Sequence, residues 1–519
     1  MAIAFRYRVN TDEPQHLHVA WGWTQGLVPY RDLFDNHAPL FHLLTAPLVA
    51  ALGERADLII LMRLAMIPLA ALALAATAVI GRALYSPRVG WWAALLVGAM
   101  PAFLLTSSEF RADDLWAALW LGALAVALGG PPTPRRALAT GILCGASLAT
   151  SMKTLLLGAN LVAGIALALA VDPERRERLR AVPWPAVVWC AAGIAVVVVA
   201  GLALFTALGA ERELFACLFT QNRAAFAFWD HRWLRTALFL ASLPLLAALG
   251  RAVLVHSACG GFTRAALLLA TPLYAATLNA FWPLVSAQNY LPFYPLLAIF
   301  VVAGLFEALE RSAVRSTERV LLAIAVAEIG LTLWVAPITS DGTRFEVGRV
   351  REVLLLTRPG DPVMDLKGES IFRPRPIFHA LEAITLERIR RGEIRDEIAE
   401  RLVATRTYVS FPDSNRYPPQ ARRFLLDNYL PVGFVRVAGK LLAPDARGIS
   451  RLAIAIPGRY VVLSPSGPAA GLLDGTPLRE PRALEAGSHT FEAKPAATPL
   501  AIVWADAAER GFSPFHDPP

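Results

Sequence analysis

Five groups of polar residues stand out against an otherwise apolar chain. Asp12-Glu13-Pro14 opens a stretch in which Leu17, Ala20, Trp21 and Thr24 share one helical face, with Pro14 well suited to a first helical position. Asp32, Asp35, Asn36 and His37 fall in a turn-rich loop over 26–40. Residues 107–114 (Ser-Ser-Glu-Phe-Arg-Ala-Asp-Asp) place Glu109 and Asp113 four apart with Arg111 between them. Lys153 sits in Ala-Thr-Ser-Met-Lys-Thr, between two apolar segments with almost no loop to carry it away. Tyr290 lies in a polar turn, 286–295, that enters a proline-containing helix. Carboxylates and cations presented together suit an anionic substrate: the acids take a proton or hold a metal, and the cations receive the anion. Plainer accounts exist for each group. Asp12 and Glu13 also serve as caps that favour the helix dipole, the loops as solvated turns, and Lys153 as a snorkelling side chain.

The elements that must position these residues are membrane helices. Of 519 residues 56% are hydrophobic and only 17% charged, and the mean hydropathy is +0.48. The apolar residues come in blocks too long for a globular core. Spans are expected at about 57–83, 90–106, 114–129, 137–152, 154–171, 184–208, 234–250, 263–284, 290–306 and 319–337. Threaded alternately, one set of loops holds thirteen basic residues (Arg82, Arg88, Arg135, Arg136, Arg175, Arg176, Arg178, Arg180, Arg251, Arg264, Arg311, Arg315, Arg319). The other holds six: Arg111, Lys153, Arg212, Arg223, Arg232 and Arg235. The richer set belongs in the cytoplasm, which puts residues 1–56 and 338–519 on the outer face. An exported N-terminus needs an anchor that MAIAFRYRVN does not supply, so a helix ahead of it is expected. The short segment 39–53 suits an interfacial helix better than a span.

The net charge of +8 reflects these loop arginines rather than one basic face, which argues against nucleic acid. Cys144, Cys190, Cys217 and Cys259 show no metal or disulfide spacing. After Pro337 the composition turns mixed. Residues 338–445 read as α/β, with a strand at 361–365, helices at 376–391 and 393–403, and a strand at 406–411. Residues 446–519 read as a small β-rich region, with strands at 458–463, 471–478 and 488–493 and an Asp474-Gly475 hairpin turn. No nucleotide loop, zinc spacing or catalytic triad is present there, which leaves two expected tasks: acceptor or partner binding, or a structural appendage without a ligand of its own.

Taken in order, the polar groups resemble the GT-C glycosyltransferase superfamily, in particular the bacterial relatives of protein O-mannosyltransferases and of the lipid A aminoarabinose transferase. The likeness rests on Asp12-Glu13 in the first outer loop, interfacial helices at 14–25 and 39–53, Pro39-Leu40 opening the second, and Glu109-Phe-Arg-Ala-Asp113 in the next outer loop. It covers roughly residues 11–337. Two features depart from the pattern: the family's first transmembrane helix does not precede Asp12, and His37 stands where some relatives carry a lysine.

The resemblance implies a mainly α polytopic bundle of about ten visible transmembrane helices at 57–337, two interfacial helices within 1–56, and a soluble C-terminal part. It implies an inner-membrane enzyme, with its active site on the outer face, that uses a polyprenyl-phosphate sugar donor and a lipid, glycan or protein acceptor. Polyprenyl phosphate is a good leaving group, so transfer needs one general base and cationic help for the departing phosphate. By resemblance Asp12 is the expected base, with Glu13 beside it. His37, Arg111, Lys153 and Tyr290 are expected to bind substrate, either alone or beside a divalent metal (Mg or Mn) held by Glu109 and Asp113. An aromatic loop over 209–233, with Phe226, Phe228, Trp229 and Arg232, is expected either to close over the lipid or to be an interfacial loop with an aromatic belt. A flippase for lipid-linked sugars is the main rival, but such transporters show internal repeats, of which there is no sign here. A non-catalytic envelope scaffold would leave the acidic motifs unexplained.

Overall fold

A computed structural model of the chain describes residues 5–225, 232–256, 261–282, 284–310, 316–337, 339–412, 415–493 and 499–517. Phe226, Phe228, Trp229, Cys259, Arg311 and Arg315 lie outside the described residues, as does the side chain of Arg232. The chain forms two compact units. One is helical and comprises 1–8, 36–45 and 60–341; the other comprises 9–35, 46–59 and 342–519.

In the helical unit the expected spans are helices, with breaks where local chemistry demands them. Residues 90–106 divide into Pro87–Ala99 and Pro101–Thr106, because Pro101 forces Met100 into an extended conformation (φ −60°, ψ 123°). Polar caps followed by proline start two of the helices: Ser86 Oγ accepts from the Val89 N–H at 3.3 Å, and Thr133 Oγ1 from the Arg136 N–H at 3.4 Å. The helices close on one another through small residues. A Cβ added to Gly141 would lie 2.0 Å from the Cys190 carbonyl oxygen, and one on Gly90 would lie 2.3 Å from that of Ala78. Such contact between backbones is typical of helices packed in lipid.

Among the described residues three helices are long and apolar enough to cross a membrane: Leu58–Leu84, Lys153–Val171 and Trp184–Ala207. The other helices at expected spans are shorter, less apolar or more charged. Trp184–Ala207 buries only Gly193 and Phe205, leaving Val187, Val188, Trp189, Val196 and Val199 exposed. An apolar face of this kind suits lipid contact rather than water.

The second unit starts with the helix Asp12–Thr24 and is built mainly on an eight-stranded sheet. Six strands run in the order Val363–Met364, Val409–Ser410, Arg436–Leu442, Leu500–Trp504, Gly458–Ser464 and Arg482–Leu484, while Tyr429–Pro431 pairs with Arg436–Leu442 and Gly467–Pro468 with Gly458–Ser464; only the first pair is parallel. Val437, Val462, Ile502 and Val503 are fully buried in its core. A second sheet of four strands carries the expected turn, with Asp474 and Gly475 both at positive φ (49° and 75°).

Several boundaries need correction. The strand Arg436–Leu442 pairs with Leu500–Trp504, so 338–445 and 446–519 share one sheet instead of forming separate regions. Residues 1–56 are not a separate segment either, being divided between the two units. The helix expected over 376–391 is confined to Ala383–Arg390, and that over 393–403 to Ile398–Ala404. The loop before Ala383 carries Pro374 and Pro376 and a network of buried polar contacts, both of which compete with helix.

Candidate functional site

Glu109, Arg111, Asp113, Lys153, Tyr290 and His37 belong to the helical unit, whereas Asp12 and Glu13 belong to the other. In the helical unit the first four form one cluster. Arg111 is the N-cap residue of Ala112–Leu128, which puts Asp113 in the first turn, where the helix dipole favours a carboxylate. Lys153 begins Lys153–Val171, and its Nζ donates to Asp113 Oδ1 at 2.5 Å and to Asn289 Oδ1 at 2.9 Å. The ammonium also lies 4.8 Å from the centroid of the Trp116 ring. Arg111 Nε donates to Asp113 Oδ2 at 3.2 Å, and its Nη1 stands 3.8 Å from Glu109 Oε2.

This cluster is held from behind. Trp116 Nε1 donates to Thr154 Oγ1 at 3.0 Å, which ties the start of the Lys153 helix to the Asp113 helix. Tyr274 Oη donates to the Asn289 carbonyl at 2.7 Å, and Asn289 Nδ2 to the Leu284 carbonyl at 3.2 Å. Asn289, part of the turn singled out in the sequence, is the functional neighbour that sequence reasoning passed over in favour of Tyr290. Tyr290 Oη instead accepts from Asn279 Nδ2 at 2.7 Å, and its ring packs on Phe293 and Tyr294. His37 is half-buried, with its ring centroid 6.5 Å from that of His42.

The donors here are poorly suited to a divalent metal. Both Asp113 oxygens face cations, and Glu109 faces Arg111. Among the described residues no group of three or more His, Cys, Asp or Glu side chains is placed to hold a metal ion. What the arrangement does offer is a lysine ammonium held by Asp113 and Asn289 with a guanidinium close by.

In the second unit Asp12 and Glu13 start the helix Asp12–Thr24, and Asn10 organises the turn before it. The Asn10 side chain accepts from the Asp12 N–H at 3.1 Å, and Glu13 Oε1 accepts from the Asn10 N–H at 2.8 Å. Glu13 is fully buried in this capping contact, as the plainer account of the pair anticipates for it. Asp12 differs: its carboxylate is partly exposed and forms an ion pair with Lys367. Nothing in the sequence marked Lys367, since it is 355 residues away from Asp12 and lies in a turn-like Lys-Gly-Glu-Ser string.

The loop around Lys367 is internally bonded. Buried Asp365 accepts from the N–H groups of Gly368 (2.8 Å) and Ser370 (2.9 Å), from Ser370 Oγ (2.7 Å) and from Arg375 Nε (2.8 Å). Burial alone would push this carboxyl up, but Arg375, His18 and the Ser370 bonds outweigh it and hold it below its ordinary value. Neighbouring Glu369 is pushed up, by burial and by the charge of Asp365. His18, one turn and a half along the Asp12 helix, donates from Nδ1 to the Ile371 carbonyl at 2.9 Å. Its burial lowers its affinity for a proton.

No family model matches the chain, and no curated protein matches it in sequence. Solved structures do. ArnT from Cupriavidus metallidurans bound to undecaprenyl phosphate aligns with a TM-score of 0.56 at 14% identity, over 84% of this chain and 95% of that one. Its apo state gives a TM-score of 0.55 at 14% identity, over 84% and 94%. The Archaeoglobus fulgidus oligosaccharyltransferase in complex with Zn and sulfate aligns over 89% of this chain and 69% of that one, at 14% identity and a TM-score of 0.46, too low to bear on the argument. The chain therefore has the fold of ArnT, the lipid A aminoarabinose transferase, as the resemblance to GT-C enzymes implied.

Proposed function

We propose that the protein is a multi-pass inner-membrane glycosyltransferase. It moves a hexosyl or pentosyl group from a polyprenyl-phosphate donor to a lipid, glycan or protein acceptor on the outer face, with inversion. The observation that carries this reading is the anchored Lys153 ammonium, set with Arg111 at the starts of two apolar helices in a chain with the fold of ArnT. ArnT has been crystallised with undecaprenyl phosphate, a lipid of the class that such a cation would hold.

The roles follow from chemistry. Lys153 and Arg111, with His37, receive the phosphate; Asp113 and Asn289 fix the direction of the Lys153 ammonium. An acceptor oxygen attacks the anomeric carbon, the bond to the phosphate oxygen breaks, and the electron pair leaves on the polyprenyl phosphate. Asp12, partly exposed at its helix start, takes the acceptor proton, while Glu13 shapes that start. Cations that meet the growing charge on the leaving phosphate lower the barrier more than they stabilise the bound donor. Tyr290, beside the Asn289 turn, is assigned to the donor lipid. No step is routed through a metal, since the carboxylates are already engaged by cations.

The test is mass spectrometry of polyprenyl-linked sugars and envelope glycans in a deletion strain, complemented with the full chain or with Asp12→Asn. The expected result is loss of one glycan residue, accumulation of its lipid-linked donor, and no rescue by Asp12→Asn. Full rescue by Asp12→Asn would remove Asp12 as the base. An unchanged glycan profile in the deletion strain would remove the enzymatic reading altogether.

A further inference from the structure

We infer that Lys367, from the C-terminal part of the chain, is a positioning residue for transfer: it fixes the Asp12 carboxylate in its working orientation. The inference rests on the reading of Asp12 as base. Three observations support it. First, the Lys367 side chain is only 8% exposed, and its ammonium meets the Asp12 carboxylate, itself 24% exposed. A lysine that surrenders most of its hydration needs such a partner, whereas the aspartate remains partly exposed.

Second, the loop that presents Lys367 has little freedom. The Lys367 N–H donates to Glu369 Oε2 at 2.6 Å, and the next turn is pinned by the contacts of Asp365. Gly368 takes φ +99° and Ile371 φ +57°, conformations that side-chain-bearing residues seldom adopt.

Third, the same loop is keyed to the helix that carries Asp12. A Cβ on Gly368 would stand 2.7 Å from the His18 side chain, and the Ile371 carbonyl accepts from His18 Nδ1 at 2.9 Å. Helix and loop are thus fixed to each other at His18, and Lys367 reaches Asp12 from that fixed base. A carboxylate at a helix start swings among rotamers when unpaired, and a base must meet its proton within hydrogen-bond reach.

The experiment uses the purified full chain with membranes of the deletion strain, which hold the accumulated donor and the unmodified acceptor. Lys367→Met, Lys367→Arg, Asp12→Asn and the Asp12→Asn/Lys367→Met double variant are compared for rate of glycan formation and thermal unfolding midpoint. Lys367→Met is expected to slow transfer roughly 10- to 100-fold, the range for losing a charged hydrogen-bond partner. Lys367→Arg, which keeps the cation, is expected to recover most of the rate. The double variant is expected to be no slower than Asp12→Asn alone, since both changes act through one group.

Stability separates this role from a structural one. Lys367→Met leaves a partly solvated carboxylate and should barely move the midpoint. The inference is overturned if Lys367→Met transfers at the wild-type rate while Asp12→Asn is dead. It is also overturned if the rate falls only with the midpoint and Lys367→Arg fails to restore it. If Asp12→Asn itself transfers normally, the base assignment is what fails, and the role of Lys367 fails with it.

Discussion

Two lysine–aspartate pairs, one in each unit, are built from the same chemistry with the parts reversed. In the helical unit Lys153 is the partner proposed to meet the substrate: Asp113 and Asn289 both accept from its ammonium, and both lysine and aspartate stand in the first turns of long helices. In the sheet-bearing unit Asp12 is the partner proposed to react, and Lys367, on a tightly bonded loop, is the one inferred to aim it. The difference lies in what positions the supporting residue. Helix starts are set by local sequence, so Asp113 has its place as soon as its helix forms. Lys367 has its place only after the sheet and its loops have assembled, because its neighbours come from chain segments hundreds of residues apart.

The reversal makes the consequences of substitution unequal. Asp12→Asn should lower transfer at least about 100-fold, since it removes the base itself. Lys153→Met should cost roughly 10- to 100-fold and weaken binding of undecaprenyl phosphate by a similar factor, measured with the lipid in detergent. Asp113→Asn should cost less, about 10-fold, because Asn289 still holds the Lys153 ammonium. If Asp113→Asn proves as damaging as Asp12→Asn, the supporting and reacting roles have been assigned the wrong way round in the helical unit.

Two further predictions concern the sheet-bearing unit's dependence on its loop. Gly368→Ala meets both a positive φ of +99° and the His18 side chain at 2.7 Å. It should destabilise this unit by about 1–3 kcal/mol, read as a lower unfolding midpoint. The smallest effect is at His379, whose affinity for a proton is pushed down to about 4 by burial and by the charges of Arg388 and Arg375. The unfolded chain takes up this proton near its ordinary value of about 6.5, the folded chain only near 4. The stability that comes from keeping His379 neutral is therefore complete above about 6.5 and lost as pH falls from there to about 4. His379→Phe should flatten that part of the midpoint-against-pH curve relative to the wild type.

How much of this could be read in the sequence follows from the same contrast. Asp113, Arg111, Glu109 and Lys153 were legible because charge beside an apolar run is costly, and their separation in sequence matches one short loop or one helix start. The break at Met100 is marked by Pro101, but the apolar run continues through both helices, so hydropathy alone shows one span there. Residues 376–382 looked helical by composition, yet they follow a loop where Asp365, Ser370, Arg373 and Arg375 bury their polar groups in contacts of their own. Lys367 was illegible for a physical reason: a single lysine in a polar loop carries no periodic signal, and its partner lies 355 residues away. The shared sheet was hidden likewise, since Arg436–Leu442 and Leu500–Trp504 pair across intervening strands that belong to both sheets.

The measurement that most directly tests the central claim is quantitation of free polyprenyl phosphate when the purified chain is incubated with membranes of the deletion strain. Transfer by displacement at the anomeric carbon predicts one polyprenyl phosphate released for each sugar that appears on the acceptor, and no release with Asp12→Asn. Disappearance of the lipid-linked sugar from one leaflet with no free polyprenyl phosphate formed would contradict it and show a carrier of lipid-linked sugars instead.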